Sequence, residues 1–162
     1  MVRVYTQTYG VIGALIEKDG KILLVKESAQ KGPDAGKWNI PAGWLHVGED
    51  IIEEVKREVK EETGFEFTPV NILGVYSVFR KDLIKEFEQT QHPIRIIFTG
   101  EISDKQGEFW KDEIVETKWF TPEEIEKMDS RTLRLIDIKK MVKDYFSDER
   151  YPLKLLNFTI QE

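Results

Sequence analysis

The stretch "EDIIEEVKREVKEETGF", residues 49–65, decides how this chain is read. Asp50 followed by Glu53 has the form of a capping box, and Gly64 suits the position just past a helix end. Between them Ile51, Ile52, Val55 and Val59 recur at helical spacing, which predicts a helix with one buried face. At about 100° per residue, Glu62 projects between Ile51 and Val55, and Glu58 lies about 20° beyond Ile51. Two carboxylates therefore border the buried face, where an unpaired charge is expensive and must be compensated.

Glu58, Glu61 and Glu62 stand at i, i+3 and i+4, the spacing that brings side chains together on one face, and Glu54 extends the cluster by a turn. Like charges this close destabilise a helix unless a cation sits among them. Carboxylate oxygens at this density suit Mg²⁺ or Mn²⁺; Zn²⁺ would call for His or Cys ligands. The competing reading is a solvated acidic helix paired with Lys56, Arg57 and Lys60. The placement of Glu58 and Glu62 beside the apolar stripe weighs against it.

Working outward, 162 residues form one expected domain, 1–162, with 40% hydrophobic and 33% charged residues, a balance typical of soluble globular proteins. No apolar run reaches the eighteen or so residues of a bilayer span, so no membrane partner is expected. The first residues lack the apolar core of a secretory signal. The absence of cysteine excludes disulfides and thiolate chemistry and fits a cytoplasmic location. A formal net charge of -6 argues against nucleic acid as a partner. It also means that an anionic substrate would need cations to receive it.

"YGVIGALIE" and "KILLVKES" read as strands joined at Lys18-Asp19-Gly20, a hairpin signal. "AQKGPDAGK" reads as a loop, and "WNIPAGWLHVG" as a short strand ending in an irregular loop. "VNILGVYSVF", "IRIIFTGEIS" and "VETKWF" are further strand candidates. Thr121, Pro122 and Glu124 mark a helix start, and a last helix is expected from about Thr132 to Tyr145. The apolar tail "YPLKLLNFTI" should dock on the body. The pattern predicts an α/β (α+β) fold, with helices on both sides of a mixed sheet.

Gly43, five residues, Glu49, seven residues, then Arg57-Glu58-Val59-Lys60-Glu61-Glu62-Thr63-Gly64-Phe65 resembles the Nudix box, Gx5Ex7REUxEExGU with U a bulky apolar residue. All seven fixed letters are present. At about one chance in ten each, a random match is on the order of 10⁻⁷ per starting position. Phe65 departs slightly from the usual aliphatic residue. The upstream hairpin, "WNIPAG" and "WFTPEEI" are also laid out as in Nudix domains. "WNIPAG" and "ERYPLKLL" resemble the NudJ-type phosphatases, with a departure at Trp44 and His46 that bears on substrate preference.

The resemblance implies an α-β-α sandwich around a mixed sheet. It also implies hydrolysis, with divalent metal, of a nucleoside diphosphate or related pyrophosphate linked to a further moiety. Its residue roles carry over as expectations. Glu58, Glu61 and Glu62 would be metal ligands, with the Gly43 carbonyl as a further oxygen. Arg57 would brace the glutamates, and Glu49 would be either a ligand or the partner of Arg57. The divalent ion would acidify water and neutralise charge on phosphoryl oxygens. The base would be a box glutamate or, outside the box, Glu113 or Glu116.

For substrate contacts the candidates are Trp44 in the box loop, Trp38, Lys26 and Arg80, although a Trp on a strand such as Trp38 is more often core. Trp110 and Trp119 read as structural, His46 as an exposed histidine, and His92 carries no signal. A downstream proline typical of ADP-ribose pyrophosphatases is absent near Arg80. Asp82 falls where dinucleoside polyphosphate hydrolases have tyrosine. These absences favour a small nucleotide, nucleotide sugar or thiamine-type pyrophosphate as the partner molecule. A homodimer is also compatible with the family. The alternative function is a catalytically silent binding module of the same fold, which usually lacks some of the box glutamates.

Overall fold

A computed structural model describes residues 10–29, 32–80, 92–110 and 112–161. The strands are β1 (Gly10–Ala14), β2 (Glu17–Lys18), β3 (Lys21–Glu27), β4 (Trp38–Asn39), β5 (Ala42–Trp44), β6 (Phe67–Ser77), β7 (Ile94–Ile102), β8 (Ile114–Phe120) and β9 (Tyr151–Pro152). The helices are α1 (Ile51–Thr63), α2 (Pro122–Lys127) and α3 (Ile138–Phe146). One sheet runs β5-β1-β7-β6-β9 and is mixed, because β1 and β7 pair in parallel while the other neighbours are antiparallel. The second sheet is antiparallel, with β3 flanked by β2, β4 and β8. Asp82 lies outside the described residues.

Strand alternation builds two cores. Ile12, Ala14, Leu23, Ile72 and Phe98 face α1, where Val55 and Val59 meet them. Their neighbours Leu15, Ile22, Leu24, Leu73 and Ile97 face the other way, onto Ile125 of α2 and Ile138, Met141 and Val142 of α3. Strands buried on both faces between helices give the expected α-β-α sandwich. The tail docks through β9 on β6 and through Leu153 and Leu156, while Phe158 and Ile160 remain exposed.

Four local expectations change, the first being "YGVIGALIE", which splits into β1 of the mixed sheet and β2, hairpinned to β3, of the other. In the predicted capping box of α1 only Asp50 acts, accepting from the Ile52 and Glu53 amides at 2.8 and 3.3 Å; the Glu53 carboxylate pairs with Lys56 instead. "WNIPAGW" forms two short strands, one in each sheet, rather than one. The last helix begins at Ile138, not Thr132, because β4 takes up the backbone ahead of it. The Trp38 amide donates to the Thr132 carbonyl at 2.7 Å, and the Arg134 amide donates to the Trp38 carbonyl at 2.8 Å. That extended segment positions Arg134, a residue the predicted helix would have carried elsewhere.

Candidate active site

A cleft of about 700 Å³ opens where the two sheets and α1 meet, a volume within the range of small-molecule sites. Glu58, Glu61, Glu62 and Arg57 line it from α1, Gly43 and Trp44 from β5, and His46 from the loop before α1. The carboxylates are held by specific partners. The Ala42 amide donates to Glu62 Oε2 at 2.8 Å. Arg57 donates to Glu61 Oε2 at 2.7 Å, to Glu58 Oε1 at 2.9 Å and, very closely, to Glu54. Burial works against the Arg57 charge, but its bonds to Glu54 and Glu61 outweigh this and hold it firmly protonated.

Burial pushes the Glu58 pKa up, and the charges of Glu61 and Glu54 add to the shift against the opposing pull of Arg57. Burial likewise raises Glu62 well above the usual carboxylate range, opposed by the Ala42 amide, with Glu27 and Glu58 adding repulsion. In both, burial disfavours the charged form of the carboxyl group, which a bound cation would favour. Ligand atoms of His46, Glu54 and Glu58 lie within 4.8 Å of one another. Carboxylate oxygens dominate these donors, so the site fits a hard divalent cation such as Mg²⁺ or Mn²⁺.

The expected bracing role of Arg57 has a different partner from Glu49. Glu49 is exposed in the loop, whereas Glu54, only 1% exposed, takes the guanidinium together with the exposed His46. Helical geometry explains this: Glu54 is one turn before Arg57, while Glu49 precedes the helix. Gly43 lies directly against the Glu58 carboxyl group.

Of the outer candidates, Arg80, Trp44 and Glu113 line the cleft, whereas Trp38, Lys26 and Glu116 do not. The Trp38 ring packs edge-on to Phe120 at 4.8 Å, the core alternative weighed for it. Lys26 instead pairs with Glu116 at 3.7 Å and lies over the Trp38 ring. His92 bonds the Ser77 hydroxyl at 2.7 Å. Trp119 packs against Phe65. Trp110 corrects its structural reading, since it is 55% exposed and lines the cleft.

The sequence reading missed a polar wall. Asp34 accepts two bonds from Arg80, both at 3.0 Å, and forms an ion pair with Arg134 at 3.3 Å; Arg134 also reaches Glu27 at 2.6 Å. Arg95, 3% exposed, pairs with Asp137 at 3.3 Å. These arginines bring cationic side chains to the cleft of a chain with net negative charge. Local spacing does not bring them together, because they come from three separated segments, and of the three only Arg80 was a candidate from the sequence.

The NUDIX domain profile matches residues 6–141. An ADP-ribose pyrophosphatase from Methanocaldococcus jannaschii is 34% identical over 145 residues, covering 88% of this chain and 76% of the relative. Phosphatase NudJ of Escherichia coli is 27% identical, covering 90% and 88%. A solved NUDIX hydrolase from Nitrosomonas europaea superposes with a TM-score of 0.80 at 33% identity, covering 93% and 96%. With Glu58, Glu61 and Glu62 of its complete box lining one cleft, the chain belongs to the Nudix family and is a pyrophosphohydrolase.

Proposed function

We propose that residues 1–162 form one Nudix domain that hydrolyses, with Mg²⁺ or Mn²⁺, the pyrophosphate of a nucleoside diphosphate linked to a further group. The observation that carries this reading is the convergence of Glu58, Glu61 and Glu62 on one cleft. Those three carboxylates, with the Gly43 carbonyl, would hold the metal, while Glu54 and His46 hold the Arg57 guanidinium beside them. A divalent cation bound there supplies charge neutralisation on phosphoryl oxygens and makes water a better nucleophile at neutral pH.

The chain's own residues do the rest. Arg57 holds Glu61 and Glu58 in orientation through its two amino groups. The Ala42 amide fixes one Glu62 oxygen. A cleft carboxylate takes the proton of the attacking water, and outside the box Glu113 is the candidate because it lines the cleft. ADP-ribose enters as a substrate to test because the 34% identical relative bears that activity in its name, although the downstream proline is absent here. Thiamine-type pyrophosphates follow from the NudJ likeness.

The test is a panel of ADP-ribose, nucleoside di- and triphosphates, nucleotide sugars and thiamine pyrophosphate with purified protein and Mg²⁺. Turnover should depend on the metal, and Glu61→Gln or Glu62→Gln should lower kcat/KM by at least about 100-fold while the protein stays folded. Ligand binding without turnover of any panel member would favour the silent binding module.

A further inference from the structure

The four tryptophans divide into two pairs. Trp38 and Trp119 are partly buried and stacked edge-on to Phe120 and Phe65. Trp44 and Trp110 are 38% and 55% exposed, and both line the cleft that holds the box glutamates. Among the described residues neither has an aromatic partner. A bare indole costs apolar surface left in water, and a flat ring laid on it would recover that surface.

The backbone that carries Trp110 is anchored on α1. Its amide donates to the Glu61 carbonyl at 2.7 Å, and its carbonyl accepts from Ile114 at 3.0 Å. Just before it, the Gly107 amide donates to the Gly64 carbonyl at 2.7 Å, and Gln106 Nε2 donates to the Thr63 carbonyl at 2.7 Å. The 106–110 segment thus satisfies carbonyls at the C-terminal end of α1 that would otherwise lack helical donors. Gly64 permits this, since it sits at φ 75° and a Cβ there would fall 2.3 Å from the Gly107 oxygen. The helix that presents the glutamates and the segment that presents Trp110 are therefore tied together.

We infer that Trp110 is a substrate-binding residue that stacks on a heteroaromatic ring, so the site selects pyrophosphates carrying a nucleobase or similar planar group over ring-free ones. This rests on the hydrolase reading for its substrate class. Trp44 supplies a second aromatic surface in the same cleft. Stacking tolerates any base because each offers a π face, so the selection is for a ring rather than for one base.

The test pairs binding with kinetics. Calorimetric titration with α,β-methylene-ADP in Mg²⁺ compares wild type with Trp110→Ala, Trp110→Leu and Trp110→Phe, each checked for an unchanged melting temperature. The Ala and Leu variants should bind about tenfold more weakly, and Phe within about twofold of wild type. For the best nucleoside substrate, Trp110→Ala should raise KM by a similar factor with kcat nearly unchanged, while kcat/KM for isopentenyl pyrophosphate stays the same. Equal binding by Trp110→Ala and wild type, no binding by wild type, or an equal loss on the ring-free substrate would overturn the inference. If wild type binds the analogue but hydrolyses nothing, the hydrolase reading fails while the binding comparison still decides the role of Trp110.

Discussion

A Cβ added at Gly43 would fall 2.2 Å from the carboxyl carbon of Glu58. The first glycine of the box is thus a space reserved for a glutamate one helix away. Gly43→Ala should push the Glu58 carboxylate out of position, and displacements of about 1 Å at a site can cost on the order of 100-fold in rate. We expect kcat/KM to fall by about that much with a small loss in melting temperature. Full activity in the alanine variant would show that Glu58 need not occupy this place.

Arg57 serves Glu54, Glu58 and Glu61 at once. Arg57→Ala leaves those carboxylates to repel one another and should destabilise the protein by about 2 kcal/mol, the scale of hydrogen bonds to charged groups. A divalent ion can replace part of the missing charge. Millimolar Mg²⁺ should therefore raise the melting temperature of Arg57→Ala more than that of wild type. An equal shift in both would mean that the ion does not bind among these glutamates.

Asp34 carries the pH dependence of the opposite wall. Burial alone would raise its pKa, but the bonds from Arg80 and the charges of Arg80, Arg134 and Lys37 outweigh burial and lower it below 3.8. A carboxyl group depressed on folding adds stability above its unfolded pKa and loses it as pH falls through the folded value. Asp34→Asn should therefore melt lower than wild type at pH 7, by about 3 kcal/mol as for a broken partly buried pair. The gap should narrow as the pH is taken below 3.8. A gap that is constant with pH would assign the loss to packing.

Glu113 and Glu116 are only three positions apart, yet Glu113 lines the cleft and Glu116 pairs with Lys26 away from it. Glu113→Gln should reduce kcat by about 100-fold if its carboxylate takes the proton. Glu116→Gln and Lys26→Ala should change kcat/KM by less than about twofold, as expected for an exposed pair. Equal effects at 113 and 116 would remove Glu113 as the base.

Helix α1 was legible in the sequence because every property that defines it is local. Helical spacing alone placed Glu58 and Glu62 at the margin of the buried face, and the box spacing carried the family with it. The α-β-α layering followed from apolar strands buried on both faces between amphipathic helices. What tertiary structure decided was which distant residues share the cleft. Arg134 enters because β4 pairs with the chain before α3, and Trp110 because its segment docks on the end of α1. Asp34, Arg80 and Arg95 meet the same space from separate loops and strands. Periodicity describes neighbours within one element. Contacts between elements depend on register and on backbone hydrogen bonds across the fold, which no spacing along the chain encodes.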